Sequence, residues 1–443
     1  MADLPYRRIW GESAFVLACI GASNAALFLG STLVIRRFQG MAAETDRYFL
    51  AASLLAVGAL LSSQGVPLAA LKLLAAARGR NRGTEESPLL MASSLRLVLL
   101  YSSIASFSLW AFLSLAPVHR WTDGESLGLS LCVLLHAPAK WVAAVLQGLG
   151  RIRLGALYDV LLDAGRLAAL GAALGAGGGV EAVIGGWVVA GALHLAGGVI
   201  LLASVLPRMG IAAGSPLFAL RAAREGVPEA SPARLAALSL SLFLPFAGLF
   251  AITQLITLLL GAAGAPGDAS RWALGMQVAS ILLVLASPLG TVLLPHLSLA
   301  AASGAGRHDV FAGAAPLLLR AGLALTGAAA LLIAFADPLI RFLFSPAAAP
   351  AAPVCRALCV LYLVESFKHL LDPPLVAQGR WKALAWVEAS RVGMVIAGAW
   401  WAVAHWSIAG AVAGLGAAVA LSAAGRLYLL HPAGVPGRTH AHV

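Results

Sequence analysis

Apolar residues run along this chain in long uninterrupted blocks. Cutting at clusters of charged and turn-forming residues leaves twelve of them, at 13–35, 48–71, 97–118, 127–149, 155–176, 182–206, 236–261, 272–299, 314–336, 353–377, 383–405 and 407–429. Each approaches or exceeds the roughly 20 residues with which an α-helix crosses the hydrocarbon core of a bilayer. The first block follows Arg7 and Arg8 but is too long for the apolar region of a cleaved signal, so it reads as the first membrane helix. The fold expected is all-α, a polytopic membrane protein of about twelve transmembrane helices in two pseudo-symmetric six-helix lobes around a central cleft.

The longest hydrophilic stretch divides the chain into an N-terminal lobe at 1–207, a cytoplasmic linker at 208–234, a C-terminal lobe at 235–430 and a tail at 431–443. The halves resemble each other internally. QGLGRIRLGALYD follows the fourth block and QGRWKALAWVE the tenth; with a two-residue gap, Arg151 falls on Arg380, Arg153 on Lys382 and Asp159 on Glu388. Pro67 and Pro295 occupy matching places in the second and eighth blocks. Six helices per half return the chain to the side it started from, so the repeat is parallel and its pseudo-two-fold axis lies along the membrane normal.

Composition narrows the function. Of 443 residues 60% are hydrophobic and 11% charged, and the mean hydropathy is +0.89. That leaves too little polar surface to coat a soluble enzyme. The net charge of +11 is spread singly or in pairs between apolar blocks, which argues against a nucleic-acid partner. The bases do have a topology. With the N-terminus cytoplasmic, seventeen, among them Arg151, Arg153, Arg208, Arg380, Lys382 and Arg426, fall in inside segments and six in outside ones, which favours both termini cytoplasmic. Cys19, Cys132, Cys355 and Cys359 all lie within apolar blocks and read as small core residues. No nucleophile motif, phosphate-cradling glycine loop or metal spacing occurs, so no catalytic residue, cofactor or ATP site is expected, and transport would draw on a gradient.

Charges inside the blocks carry the candidate chemistry, because an ionisable side chain in a span is costly unless it meets a partner or water. Asp159, Asp163 and Arg166 share one stripe of the fifth helix; Glu365, Lys368 and Asp372 share one of the tenth; Glu388 and Arg391 are three apart on the eleventh. Lys140 and Arg320 have no nearby sequence partner, and Arg36 and Arg37 end the first block. Self-neutralising pairs, or snorkelling of Asp159 toward Arg153 and of Glu388 toward Lys382, are the alternatives to function. The functional expectation is that Arg166, Arg391, Lys368, Arg36, Arg37, Lys140 and Arg320 form a cationic cleft, with Asp163, Glu365, Asp159 and Glu388 as coupling-ion or gating groups. His136, His194, His296 and His405 read as hydrogen-bonded packing residues.

RRFQG at 36–40, TDRYFLA at 45–51, TVLLPHLSLAAASG at 291–304 and FADPLIRFLF at 335–344 resemble the multidrug, oligosaccharidyl-lipid and polysaccharide (MOP) exporter superfamily, most nearly its lipid II flippase branch. The resemblance implies two six-helix lobes that alternate access and move an undecaprenyl-pyrophosphate-linked saccharide, lipid II-like or a polysaccharide repeat unit, across the bacterial inner membrane. Its partners would be that lipid and the surrounding membrane, and the protein would act as a monomer. Arginine forks would suit the pyrophosphate. The alternatives are a cation-coupled multidrug exporter of the same superfamily and a non-transporting membrane protein of glycan assembly.

Overall fold

The computed structural model describes residues 6–37, 42–80, 82–115, 121–211, 231–263, 268–302, 307–344 and 346–430. Most of the expected linker and the whole expected tail lie outside these residues. The described residues form helices and turns, with no strand among them. In chain order the helices are α1 (Tyr6–Arg37), α2 (Ala42–Ser63), α3 (Val66–Gly79), α4 (Gly83–Leu115), α5 (Asp123–Gly148), α6 (Ile152–Gly175), α7 (Val180–Val205), α8 (Pro232–Ala263), α9 (Asp268–Ala279), α10 (Ile281–Ala302), α11 (Arg307–Ala334), α12 (Ala336–Leu343), α13 (Ala352–Ala377) and α14 (Trp381–Leu430).

Every one of the twelve apolar blocks falls on these helices. The second is the pair α2 and α3, bent by 41°. The eighth is α9 followed by α10, and the last two share α14, which breaks at Ser407 with φ 47° and ψ −126°. Among the described residues, eight helices are long and apolar enough to cross a membrane, nine if the bent pair is one span. The chain is a polytopic membrane protein. Helix α6 has 24 residues, long enough to cross, yet Arg153, Asp159, Asp163 and Arg166 set it apart as a polar span.

Two compact units divide the chain: Met1–Phe243 with Thr291–Gly306, and Leu244–Gly290 with Arg307–Val443. In the first, α5 is the central helix and packs against α2, α3, α4, α6 and α7. Its entry is fixed by a capping box, in which the Glu125 amide donates to Thr122 Oγ1 and the Thr122 amide donates to Glu125 Oε2. The same carboxylate receives Arg47 Nη2 at 2.6 Å, which ties α2 to α5. The bend between α2 and α3 depends on Gly65, at φ 74°, where a Cβ would stand 2.3 Å from the Ser239 carbonyl oxygen of α8. In the second unit α13 is central and packs against α9, α11, α12 and α14. Its core gathers Leu282, Cys355, Leu358, Cys359, Ala411, Leu415 and Ala418, all fully buried.

Large apolar side chains turn outward along the spans, among them Leu193 and Ile200 of α7, Leu319 and Leu323 of α11 and Trp386 of α14. In water this would be an unstable surface, whereas in a bilayer it is the surface that lipid chains cover.

Candidate functional site

Among the described residues, each unit carries a cluster of several charged side chains within its spans, and the two clusters differ in accessibility. In the first unit the group is built from α1, α5, α6 and α7. Lys140 Nζ of α5 donates to Asp159 Oδ1 of α6 at 2.7 Å, so Lys140 finds across a helix contact the partner that its own helix lacks. One turn on, Asp163 Oδ2 accepts from Ser23 Oγ of α1 at 2.6 Å. Arg166 lies 3.9 Å from Asp163 Oδ1 and 3.2 Å from His136 Nδ1. Tyr158 stacks on the His194 ring at 3.9 Å and donates to the His194 carbonyl at 3.1 Å. The pairs remain reachable: the side chains of Lys140 and Asp159 are 33% and 36% exposed, and those of Arg166 and Asp163 are 13% and 15% exposed.

Helix rise sets the depth of these groups. Asp163 lies eleven residues beyond the first residue of α6, which at 1.5 Å per residue is about 16 Å and so near the middle of a hydrocarbon core of about 30 Å.

The second group is sealed. Glu365, Lys368 and Asp372 of α13 meet Glu388, Arg391, Ser422 and Arg426 of α14, and every one of them is 2% exposed or less. Arg391 Nη1 donates to both Glu365 oxygens at 2.8 and 2.9 Å, and its Nε lies 2.7 Å from Glu388 Oε2. Lys368 Nζ donates to Glu365 Oε2 at 2.6 Å and lies 3.6 Å from Glu388 Oε1. Arg426 takes Asp372 in a fork, Nε to Oδ1 at 2.7 Å and Nη2 to Oδ2 at 3.1 Å, and its Nη1 also donates to Glu388 and to Ser422 Oγ. Three cations face three carboxylates, so the cluster is neutral. His369 Nδ1 approaches Asp372 Oδ2 at 3.8 Å.

Several expectations are corrected by this placement. Arg391 and Lys368, expected to line a hydrated cleft, are enclosed by carboxylates and have no free face for a pyrophosphate. Glu365 and Glu388, expected as coupling-ion or gating groups, spend their oxygens on Arg391, Lys368 and Arg426. Neither snorkelling pair forms: Asp159 turns to Lys140, and Glu388 turns inward. Arg426, counted among the cytoplasmic bases, is a buried partner of Asp372 and Glu388. Arg320 is exposed on α11 beside Leu319 and Leu323 and makes no ion pair among the described residues. Arg36 and Arg37 are exposed in the last turn of α1. Of the expected residues, the structure brings together Lys140, Asp159, Asp163 and Arg166 in one unit and Lys368, Glu365, Glu388 and Arg391 in the other. Ser23, Ser422 and Arg426 were missed, because no local spacing ties them to groups 140, 34 and 54 positions away.

No protein-family model matches the chain, and no curated protein does. Solved structures do. An outward-facing multidrug resistance MATE family transporter of the MOP superfamily superposes with a TM-score of 0.72 at 13% identity, over 95% of this chain and 94% of that one. The eukaryotic MATE transporter AtDTX14 gives 0.72 at 13% identity, over 96% of both chains. The fold is that of the MATE transporters. A MOP superfamily transporter from Pyrococcus furiosus, described as having a binding pocket of reverse polarity, shares this MATE-like fold with a TM-score of 0.65 at 15% identity, over 94% of this chain and 95% of that one. The superfamily expectation therefore stands at the level of fold, and the neighbours lend no support to the lipid II flippase branch within it.

Proposed function

We propose that this protein is a secondary transporter that exports an amphipathic organic solute by alternating access, with the polar group of the first unit handling the coupling cation. The observation that carries the reading is the accessible pair of carboxylates, Asp159 and Asp163, on a helix of a MATE-like fold. A charge at the centre of a span costs about 2.5–3.5 kcal/mol on insertion scales, and four on one short stretch are kept where water or a transported ion meets them. Their cationic neighbours, Lys140 and Arg166, pair with these carboxylates while leaving them reachable, an arrangement in which a proton or metal cation competes with the pair for the carboxylate oxygens.

The lipid-linked saccharide reading loses two of the seven cationic donors it named. Arg391 and Lys368 were to grip the pyrophosphate, and both are committed to Glu365 and Glu388. A sealed pair offers an incoming anion no unpaired charge.

Flux measured in proteoliposomes tests the proposal. A fluorescent organic cation such as ethidium is loaded, and a proton gradient, then a sodium gradient, is imposed. One gradient is expected to drive efflux from the native protein, and Asp163→Asn is expected to cut that efflux by at least about tenfold, in line with the loss of one essential ionisable group, while leaving solute exchange without a gradient in place. Undiminished efflux from both Asp163→Asn and Asp159→Asn would overturn the site. Absence of efflux under either gradient, together with accumulation of a lipid-linked saccharide on the cytoplasmic leaflet of depleted cells, would restore the flippase reading.

A further inference from the structure

At one end of the first unit, where α1 begins, α5 and α7 end and α6 begins, lies an open cavity of about 380 Å³. Arg151, Arg153 and Arg208 line it, with Glu12 and the apolar walls of Ile152 and Val205. The three arginines are exposed and make no ion pair among the described residues. Arg153 is held in place by the Phe15 ring, with its guanidinium carbon 5.8 Å from the centroid. Glu12 is buried, with its carboxylate 3.1 Å from His296 Nε2, and is the one acid against three bases in this lining. The turn that enters the cavity runs through Gly150 at φ 81°, where a Cβ would collide with the Arg78 guanidinium, so a fourth cation packs behind the site. Helix α6 has neither an acidic residue in its first turn nor a side-chain cap, and its free amides add to the positive field.

The internal repeat supplies a control. Arg380 and Lys382 occupy in the second half the places that Arg151 and Arg153 hold in the first. Arg380 donates to the Leu429 carbonyl, and Lys382 sits over Trp381 at 5.2 Å from the ring centroid. Arg380 is thus tied to its own backbone, whereas Arg151 at the matched place faces a cavity; Arg153 and Lys382 both stack on an aromatic ring, and of the two Arg153 lines that cavity.

What leads away from the cavity decides between a soluble anion and a lipid. Leu157 and Leu161 follow Arg153 at intervals of four on the same face of α6 and are 45% and 55% exposed; Val199 and Ile200 on α7 are 59% and 70% exposed. A cationic pocket that continues into an outward apolar stripe has the outline of a phospholipid, with a phosphate at the end of the helices and an acyl chain along them. The charge bias puts this end at the cytoplasmic leaflet, where anionic lipids collect. We infer that the cavity bounded by Arg151, Arg153 and Arg208 is a binding site for the headgroup of an anionic phospholipid.

Native mass spectrometry of the delipidated full-length protein, titrated with phosphatidylglycerol or phosphatidylcholine of equal chain length, tests this. The native protein is expected to hold one phosphatidylglycerol in clear preference to phosphatidylcholine. Each single change, R151Q, R153Q or R208Q, is expected to weaken binding about fivefold, and the triple change about a hundredfold, since each base near an anionic headgroup contributes about 1 kcal/mol. K382Q, at the matched position, is expected to bind as the native protein does. Elution volume and melting temperature establish that the variants are folded, which substitutions at exposed positions favour. Unchanged affinity in the folded triple variant overturns the site, as does equal loss in K382Q. Displacement of the lipid by excess inorganic phosphate alone overturns the lipid assignment in favour of a soluble anion.

Discussion

Replacing Arg426 by methionine is expected to lower the stability of the second unit more than any other change in a single side chain of its polar cluster. The guanidinium is 1% exposed and serves Asp372, Glu388 and Ser422 at once. Without it, Lys368 and Arg391 remain to balance Glu365, Asp372 and Glu388, and one carboxylate is left buried and uncompensated. Breaking a buried pair in this way costs about 3–5 kcal/mol. In a domain of 150–250 residues each kcal/mol moves the midpoint by about 2–4 °C, so Tm is expected to fall by about 6–20 °C. Thermal unfolding in detergent, followed by loss of the monodisperse elution peak, reads the change. The double variant D372L/R426M removes one charge of each sign and restores neutrality among Lys368, Arg391, Glu365 and Glu388. It is expected to recover most of the loss, because replacing a whole buried pair by apolar side chains is often close to neutral. A single variant that melts within about 2 °C of the native protein, less than 1 kcal/mol by the same conversion, would refute the reasoning. So would a double variant that melts no higher than the single one.

Further expectations follow from the packing. Gly65→Ala puts a Cβ 2.3 Å from the Ser239 carbonyl oxygen at φ 74°, so it is expected to cost at least about 2 kcal/mol, as overpacking does, and to lower the yield of monodisperse protein. Arg47→Met strips the buried Glu125 of its cation; a drop in Tm is expected, and Glu125→Gln in the same background is expected to reverse part of it, read by the same melt. Cys132, Cys355 and Cys359 are 2% exposed or less, so a thiol-reactive fluorophore is expected to leave them unlabelled until the melt begins, and prompt labelling of the folded protein at these three would contradict the packing.

The spans were legible because a bilayer imposes a length on apolar runs, and that length is visible without any knowledge of partners. Even the division of α14 at Ser407 follows from two consecutive blocks too long to be one crossing. The bend at Gly65 was not visible, since it depends on the approach of α8 from far along the chain. The short helix α12 was missed too, because its eight residues form an amphipathic piece rather than a span. At the candidate sites, spacing found the charges on each helix and misjudged their company. Glu365 with Lys368 and Glu388 with Arg391 are helical neighbours that do pair. Asp372 shares a stripe with Lys368 but pairs with Arg426, and Lys140 pairs with Asp159 across a helix interface. Arg426 was misread because an arginine near the end of an apolar run has the look of a boundary anchor, and only the fold shows the carboxylates waiting for it.

The neutrality of the sealed cluster has an order in time. A ribosome delivers Glu365, Lys368 and Asp372 first, then Glu388 and Arg391, and at each of these stages the group carries one excess negative charge; Arg426 arrives last of the six and cancels it. Until then the nascent unit holds an unmatched carboxylate that favours water over lipid. The part of α14 beyond Ser407 is in this sense a latch: it carries the last of the six charges, and the cluster can leave water for good only once that part is in place.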